Sequence, residues 1–155
     1  MRFPVVVALV GVLIGSGILV RAQAPTPTVE VYKSATCGCC SKWVEHLQQG
    51  GFATRVTNLG EEALDAFKTK HAVPRTAQSC HTALVGGYVV EGHVPAGEVR
   101  RLLKERPAVA GIAVAGMPTG SPGMEVPGQR PQVYNVIAFD KQGATKVFST
   151  QNSSK

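Results

Sequence analysis

The sequence predicts an α/β fold, because segments with the two-residue period of strands alternate with segments whose apolar residues follow the 3.6-residue period of helices. Two further observations narrow that class. A C-x-x-C pair, Cys37 and Cys40, stands between the first predicted strand and the first predicted helix. The pair Gly86-Gly87 joins two short apolar segments, as in a β-hairpin. Together these features indicate a thioredoxin-like arrangement.

Each element before Pro107 has its own local signal. Residues 29–33 alternate apolar and polar side chains, as a half-buried strand does. The first helix stops at Gly50-Gly51, and the second carries acidic residues in its first turn, where the helix dipole favours them. The predicted order is a strand at 29–33, a helix at 41–49, a strand at 52–57, a helix at 61–70, hairpin strands at 82–85 and 88–91, and a helix from Pro95 that ends before Pro107.

Residues 107–131 have a different composition, with five prolines and five glycines. This composition predicts a loop rather than a helix or a central strand. After it, residues 133–139 and 145–148 predict a second hairpin. Long loops in compact domains are usually functional or disordered, and the ordered elements on both sides favour an ordered loop. We therefore expect a thioredoxin-like core at 25–106 and, in the same domain, a methionine-bearing loop plus C-terminal hairpin extension at 107–155.

Residues 1–24 have the pattern of a secretory signal peptide. Arg2 precedes an uncharged apolar run, and Ala22-Gln23-Ala24 supplies a small-residue cleavage site. The run is also long enough to cross a bilayer, so an uncleaved anchor is the alternative and the only expected membrane contact. Export would place the four cysteines in the periplasm, where disulfides persist.

The charge pattern argues against nucleic acid as a partner. The net charge is +6, but the basic residues are dispersed along the chain. No basic stripe interleaved with aromatic residues appears in the sequence, although such a stripe is typical of nucleic-acid binding.

Three of the four cysteines lie within one short stretch, Cys37-Gly38-Cys39-Cys40. Cys37 is expected just before the first helix and Cys40 in its first turn, where the helix dipole stabilises a thiolate. A low thiol pKa serves disulfide exchange and metal binding equally. Cys39 favours the metal, because a redox pair needs no third sulfur and a free thiol beside a disulfide promotes wrong exchange.

Cys80 and His81 stand at the start of the third predicted strand, which in a thioredoxin-like sheet lies against the C-x-x-C turn. That placement would bring a fourth sulfur and an imidazole to the first three sulfurs. Soft sulfur ligands select Cu(I), with zinc less favoured. Met117 and Met124 lie in the Pro/Gly-rich loop, outside any periodic apolar pattern, and His93 follows the second hairpin strand. These residues are further candidate ligands.

The chain resembles the CopG-like periplasmic proteins, a family associated with bacterial copper resistance, in four stretches: "YKSATCGCCSKWVEHL", "SCHTALVGGYVVEGHVPAGEVRRLL", "GMPTGSPGMEVPG" and "YNVIAFDKQG". The resemblance covers essentially the whole chain after residue 24. It implies a thioredoxin-like fold that binds a multinuclear Cu(I) cluster and takes part in copper redox interconversion. The cluster sulfurs implied by the resemblance are Cys37, Cys39, Cys40 and Cys80, with Met117, Met124, His81 and His93 as candidate ligands.

Other interpretations of the cysteines remain open. An exported protein can use four cysteines as two structural disulfides. Alternatively, Cys37 and Cys40 can serve a thiol–disulfide oxidoreductase. Within the copper interpretation, a binding protein would store the ion or pass it to other periplasmic copper-handling proteins, whereas an enzyme would cycle copper between Cu(I) and Cu(II).

Overall fold

The computed structural model describes residues 27–153, so the expected signal peptide or anchor at residues 1–24 lies outside the described residues. The described chain is a mixed α/β structure of seven strands and three helices. In chain order the elements are β1 (Val29–Lys33), α1 (Gly38–Gln49), β2 (Thr54–Asn58), α2 (Glu61–Lys70), a short 3-10 helix (Arg75–Ala77), β3 (His81–Val85), β4 (Tyr88–Glu91), α3 (Ala96–Glu105), β5 (Gly111–Ala113), β6 (Tyr134–Phe139) and β7 (Thr145–Gln151). Within residues 27–153 none of the helices has the length and apolarity needed to cross a membrane.

All seven strands form one sheet in the order β2-β1-β3-β4-β5-β6-β7. β1 and β2 are parallel and are connected by α1, while β1 pairs with β3, and β3 with β4, in antiparallel fashion. At one end of the sheet Lys33, the last residue of β1, pairs with His81, the first residue of β3. The loop that leaves β1 and the loop that enters β3 therefore lie at the same edge.

The core has one cluster on each face of the sheet. α1 and α3 cover the first face, and Trp43 of α1 is fixed by a hydrogen bond of 2.8 Å from its Nε1 to the Val94 carbonyl oxygen. Burial of an apolar side chain such as that of Leu47 contributes roughly 1.5–3 kcal/mol. The cluster on the second face contains Val73, Ala77, Val89, Ala113 and Phe139.

The structure confirms the α/β class and corrects three sequence predictions. α1 begins at Gly38, earlier than predicted, and so includes two cysteines. The prediction that residues 107–131 contain no central strand is wrong, because β5 lies between β4 and β6. The prolines flank this strand, at Pro107 and Pro118, and leave the residues between them able to pair. β7 also extends beyond the predicted end at residue 148, since it pairs with the whole of β6 across a bulge.

Gly111 lies where β5 passes close to its neighbours. A Cβ atom at this position would contact the Val89 carbonyl oxygen and stand 2.7 Å from the Phe139 ring. We predict that Gly111→Ala lowers the free energy of unfolding by about 1–3 kcal/mol, because backbone has to move to accept the methyl group. Denaturant unfolding measures this loss. Gly97→Ala in α3 is the control, since its new methyl group meets open space, and it should change stability by no more than about 1 kcal/mol. Equal stabilities for the two variants would contradict the prediction.

Candidate metal centre

Four cysteine sulfurs converge at the edge of the sheet where β1 ends and β3 begins. Cys37 is the N-cap residue of α1, and Cys39 and Cys40 occupy its first turn. Cys80 directly precedes β3. The four sulfur atoms all lie within 4.8 Å of one another. The pairing of β1 with β3 thus brings together sulfurs from two segments of the chain, with Cys40 and Cys80 separated by 40 residues in sequence.

Two of the four sulfurs form a disulfide. Cys37 and Cys40 are bonded to each other, and Cys39 and Cys80 are free thiols. The interpretation as two structural disulfides is therefore not what the structure shows. Cys39 Sγ lies 3.5 Å from Cys37 Sγ, so the third thiol sits directly beside the disulfide. Cys40 is buried, whereas the other three cysteines are half-buried.

The N-terminus of α1 supplies a favourable potential for anionic sulfur. The first turn contains no acidic residue, and no side chain caps its backbone N–H groups. Helix N-termini carry a partial positive charge that stabilises thiolates. The buried Lys33 side chain lies at the end of β1, where Nζ donates to the Ser34 carbonyl oxygen at 2.8 Å.

His93 is positioned as a metal-binding histidine would be. Its ring is fully buried, and Nδ1 donates a hydrogen bond of 2.8 Å to the Pro122 carbonyl oxygen. Because that oxygen can only accept, the proton of the neutral ring is on Nδ1, and the lone pair of Nε2 faces Cys80 Sγ at 3.1 Å. Histidine ligands usually make such a second hydrogen bond, which fixes their tautomer and orientation. Burial lowers the pKa of His93 and keeps the imidazole neutral.

His81 lies on the inner side of the same thiol. Its Nδ1 is 3.4 Å from Cys80 Sγ, and its ring packs 4.3 Å from the Trp43 ring, centroid to centroid. Burial holds the pKa of His81 well below its usual range, so this ring is also neutral. Its Nε2 is buried and has no hydrogen-bond partner within the described part of the chain. Together, one atom each of Cys80, His81 and His93 fall within 4.8 Å of one another.

Cys80 is protonated at neutral pH when no cation is present. Burial, with a smaller contribution from charge repulsion by the neighbouring Cys39, raises the pKa of the Cys80 thiol to about 11. A metal ion that binds Cys80 must therefore displace this proton, which makes binding pH-dependent.

The Pro/Gly-rich loop is ordered and lies over the cysteines. Gly123 packs directly against α1: a Cβ atom there would be 2.8 Å from the Cys39 carbonyl oxygen and 2.9 Å from the Trp43 backbone nitrogen. Its φ of +85° places it in the left-handed region that glycine tolerates, as the φ of +84° does for Gly120. Met124 follows Gly123 and is partly buried, whereas Met117 is half exposed. The loop thus carries both methionines to this edge of the sheet, and their role as ligands stays a prediction.

A buried polar network behind Cys80 was not predicted from the sequence. Lys68 Nζ lies 2.5 Å from Glu91 Oε1, and Glu91 Oε1 also accepts the Ser79 backbone N–H at 2.7 Å. Burial raises the pKa of Glu91, while the Lys68 ammonium opposes that rise. The sequence does contain a signal for Lys68, because this residue follows Leu64 by four positions and so lies on the same buried face of α2.

The fold and these donors define a class of α/β protein with a sulfur-rich site at the N-terminus of its first helix. Residues 77–124 match a family model described as "Protein of unknown function, DUF411". Two solved structures, "Copper resistance protein copG" Form 1 and Form 2, are both 38% identical to this chain, with TM-scores of 0.75 and 0.73. The first match covers 83% of this chain and 99% of that chain, and the second covers 81% and 98%.

The chain therefore belongs to the CopG copper resistance family. A comparison with curated proteins returned no match.

The environment of Cys80 predicts slow alkylation. At pH 8 a thiol whose pKa is about 11 has about 0.1% of its population as thiolate, compared with tens of per cent for an unperturbed thiol of pKa ~8.5. We predict that iodoacetamide modifies Cys80 of the metal-free protein at least ~10-fold more slowly than it modifies glutathione, since only the thiolate reacts. The rate, followed by peptide mass spectrometry, should keep rising with pH beyond pH 10. A plateau below pH 9 would contradict the assigned environment.

Proposed function

We propose that the protein is an exported copper-binding protein with a thioredoxin-like fold that holds Cu(I) as a cysteine-bridged cluster. The observation that carries the proposal is the convergence of Cys37, Cys39, Cys40 and Cys80, whose sulfur atoms all lie within 4.8 Å of one another. Its structural relatives are copper resistance proteins, which supports copper as the ion. The order of parallel β1 and β2 followed by antiparallel β3 and β4 supports the thioredoxin-like description.

The donor set favours copper over harder ions. Four thiolates are soft ligands that suit Cu(I), and zinc is the less favoured ion. Sulfurs this close to one another can each bridge two ions, which favours a cluster over isolated sites. The neutral imidazole of His93, with Nε2 directed at Cys80, is the best-placed additional ligand. His81, Met117 and Met124 remain candidates at the same edge of the sheet.

Loading of the full site requires reduction of the disulfide. Two electrons and two protons convert the Cys37–Cys40 bond into two thiols, and Cu(I) then replaces the thiol protons. The same pair supports redox handling of the cargo, because oxidation of the two thiols to the disulfide releases two protons and two electrons, and those electrons reduce two Cu(II) ions to Cu(I). A redox role in copper resistance would thus use the sulfurs both as ligands and as an electron store.

The place of action follows from the N-terminal segment. If residues 1–24 direct export, the protein works in the periplasm and exchanges copper with other copper-handling proteins there. In that compartment a disulfide such as Cys37–Cys40 persists until a reductant reaches it.

A second candidate function is thiol–disulfide exchange with other proteins. The observation that favours it is the disulfide itself, which lies at the N-terminus of α1 with Cys37 half-buried and Cys40 buried. Cys39 counts against it, because its sulfur is 3.5 Å from Cys37 and competes in exchange.

Anaerobic titration of the reduced protein with Cu(I) against a competing chelator tests the copper proposal. We predict that the wild-type protein binds more than one copper equivalent per chain. The sole tryptophan, Trp43, lies within van der Waals reach of His81 and should report binding by fluorescence quenching. Binding of less than one equivalent, or ready loss of the metal to a weak chelator, would overturn the proposal.

Cys39→Ser separates the two candidate functions. A bridged cluster loses one of its sulfurs, so we predict that the variant binds fewer copper equivalents than the wild-type protein. Exchange through Cys37 and Cys40 should survive the substitution. A disulfide reductase assay on metal-free protein provides the second readout. Full reductase activity combined with unchanged copper stoichiometry would favour the exchanger and contradict the cluster.

A further inference from the structure

A fully buried ion pair lies behind the candidate metal centre and is not one of its ligands. Lys68 of α2 and Glu91 of β4 meet at 2.5 Å, with side chains 6% and 0% exposed. Burial of two charges costs desolvation energy that their attraction often fails to recover, so such a pair is weak evidence for a role in stability. Its contacts indicate a different role.

The Glu91 carboxylate holds the chain segment that carries Cys80. Oε1 accepts the backbone N–H of Ser79 at 2.7 Å, one residue before Cys80. Oε2 accepts the Thr82 hydroxyl at 2.6 Å, two residues after Cys80. Lys68 Nζ donates to both Glu91 Oε1 and Thr82 Oγ1. A single carboxylate therefore holds residues on both sides of this cysteine, Ser79 through its backbone N–H and Thr82 through its hydroxyl group.

The same segment is also joined to the loop above the site. Ser79 Oγ donates to the Gly116 carbonyl oxygen at 2.5 Å, and the Gly116 N–H donates to the Gln78 carbonyl oxygen at 3.1 Å. Gly92, the residue after Glu91, packs so closely that a Cβ atom there would stand 2.6 Å from Ser79 Cβ. Ser79 thus contacts both the end of β4 and Gly116, the residue that precedes Met117.

We propose that Glu91, held by Lys68, is a positioning residue that places the Cys80 sulfur within reach of the other three. It acts through the Ser79 N–H and touches no copper itself. This inference rests on the proposed copper-binding function. Partners of this kind, which orient a ligand from behind, typically change metal affinity by about 10–100-fold when removed.

Two double variants isolate the hydrogen bond. Lys68→Met/Glu91→Leu and Lys68→Met/Glu91→Gln both remove both charges, so neither leaves an unpaired buried ion. Only the Gln variant keeps an oxygen that can accept the Ser79 N–H. We expect the Leu variant to raise the Kd for Cu(I) by at least ~10-fold and the Gln variant to stay within about 3-fold of the wild-type protein. Equal affinities for the two variants would overturn the proposal, and circular dichroism verifies that both are folded.

A thermodynamic cycle distinguishes positioning of Cys80 from a general structural effect. In the Leu background, Cys80→Ser should weaken copper binding further by less than ~3-fold, because the sulfur is already misplaced. Cys39→Ser is the matched control and should cost the same factor in both backgrounds. Additive losses for both cysteines would show a merely structural role and contradict the proposal.

The wild-type protein gives an independent readout that needs no variant and no copper. The amide hydrogen of Ser79 should exchange with solvent at least ~100-fold more slowly than that of an unstructured amide. The reason is that this N–H donates a hydrogen bond to the buried Glu91 carboxylate. Fast exchange at Ser79 would refute the positioning contact even if every variant failed to fold. Absence of copper binding by the wild-type protein, with Ser79 still protected, would instead reject the copper function and confirm only the contact.

Discussion

The pairing of the end of β1 with the start of β3 is the constraint on which the site depends. Because Lys33 is opposite His81, the chain that leaves β1 into α1 and the chain that enters β3 cannot separate. Cys37, Cys39 and Cys40 therefore meet Cys80 without any contribution from the metal. A slip of the β1–β3 register by one residue would turn every side chain of β3 to the opposite face and disperse the donors.

Around this meeting point the protein keeps its donors in place but in their neutral forms. Both histidines are held uncharged by burial, and the Cys80 thiol keeps its proton for the same reason. Two further sulfur donors, Cys37 and Cys40, are stored as a disulfide. The positions of the donors are therefore preorganised. The negative charge of the thiolates arises only when the disulfide is reduced and a metal cation displaces the thiol protons. Such a centre responds to redox state and metal supply together.

Local patterns were enough to predict the order of strands and helices as far as α3, since that order depends on short-range periodicity. The meeting of Cys80 with the first three cysteines was predicted from the thioredoxin-like sheet arrangement. Other features depend on contacts that are distant in sequence. The strand Gly111–Ala113 could not be predicted from its proline-rich surroundings. The hydrogen bond from His93 to the Pro122 carbonyl oxygen depends on the path of a long loop. The burial of Lys68 and Glu91 runs against the usual exposure of charged residues, and only their mutual contact makes it possible.

In the proposed site, four sulfurs from two distant segments bind copper together. X-ray absorption spectroscopy of the reduced, Cu(I)-loaded protein measures this most directly, because it reports the neighbours of the metal. We expect the atoms bound to copper to be mainly sulfur, with a short copper–copper distance that is lost in Cys80→Ser. A shell of nitrogen and oxygen, or a spectrum unchanged by Cys80→Ser, would contradict the proposal.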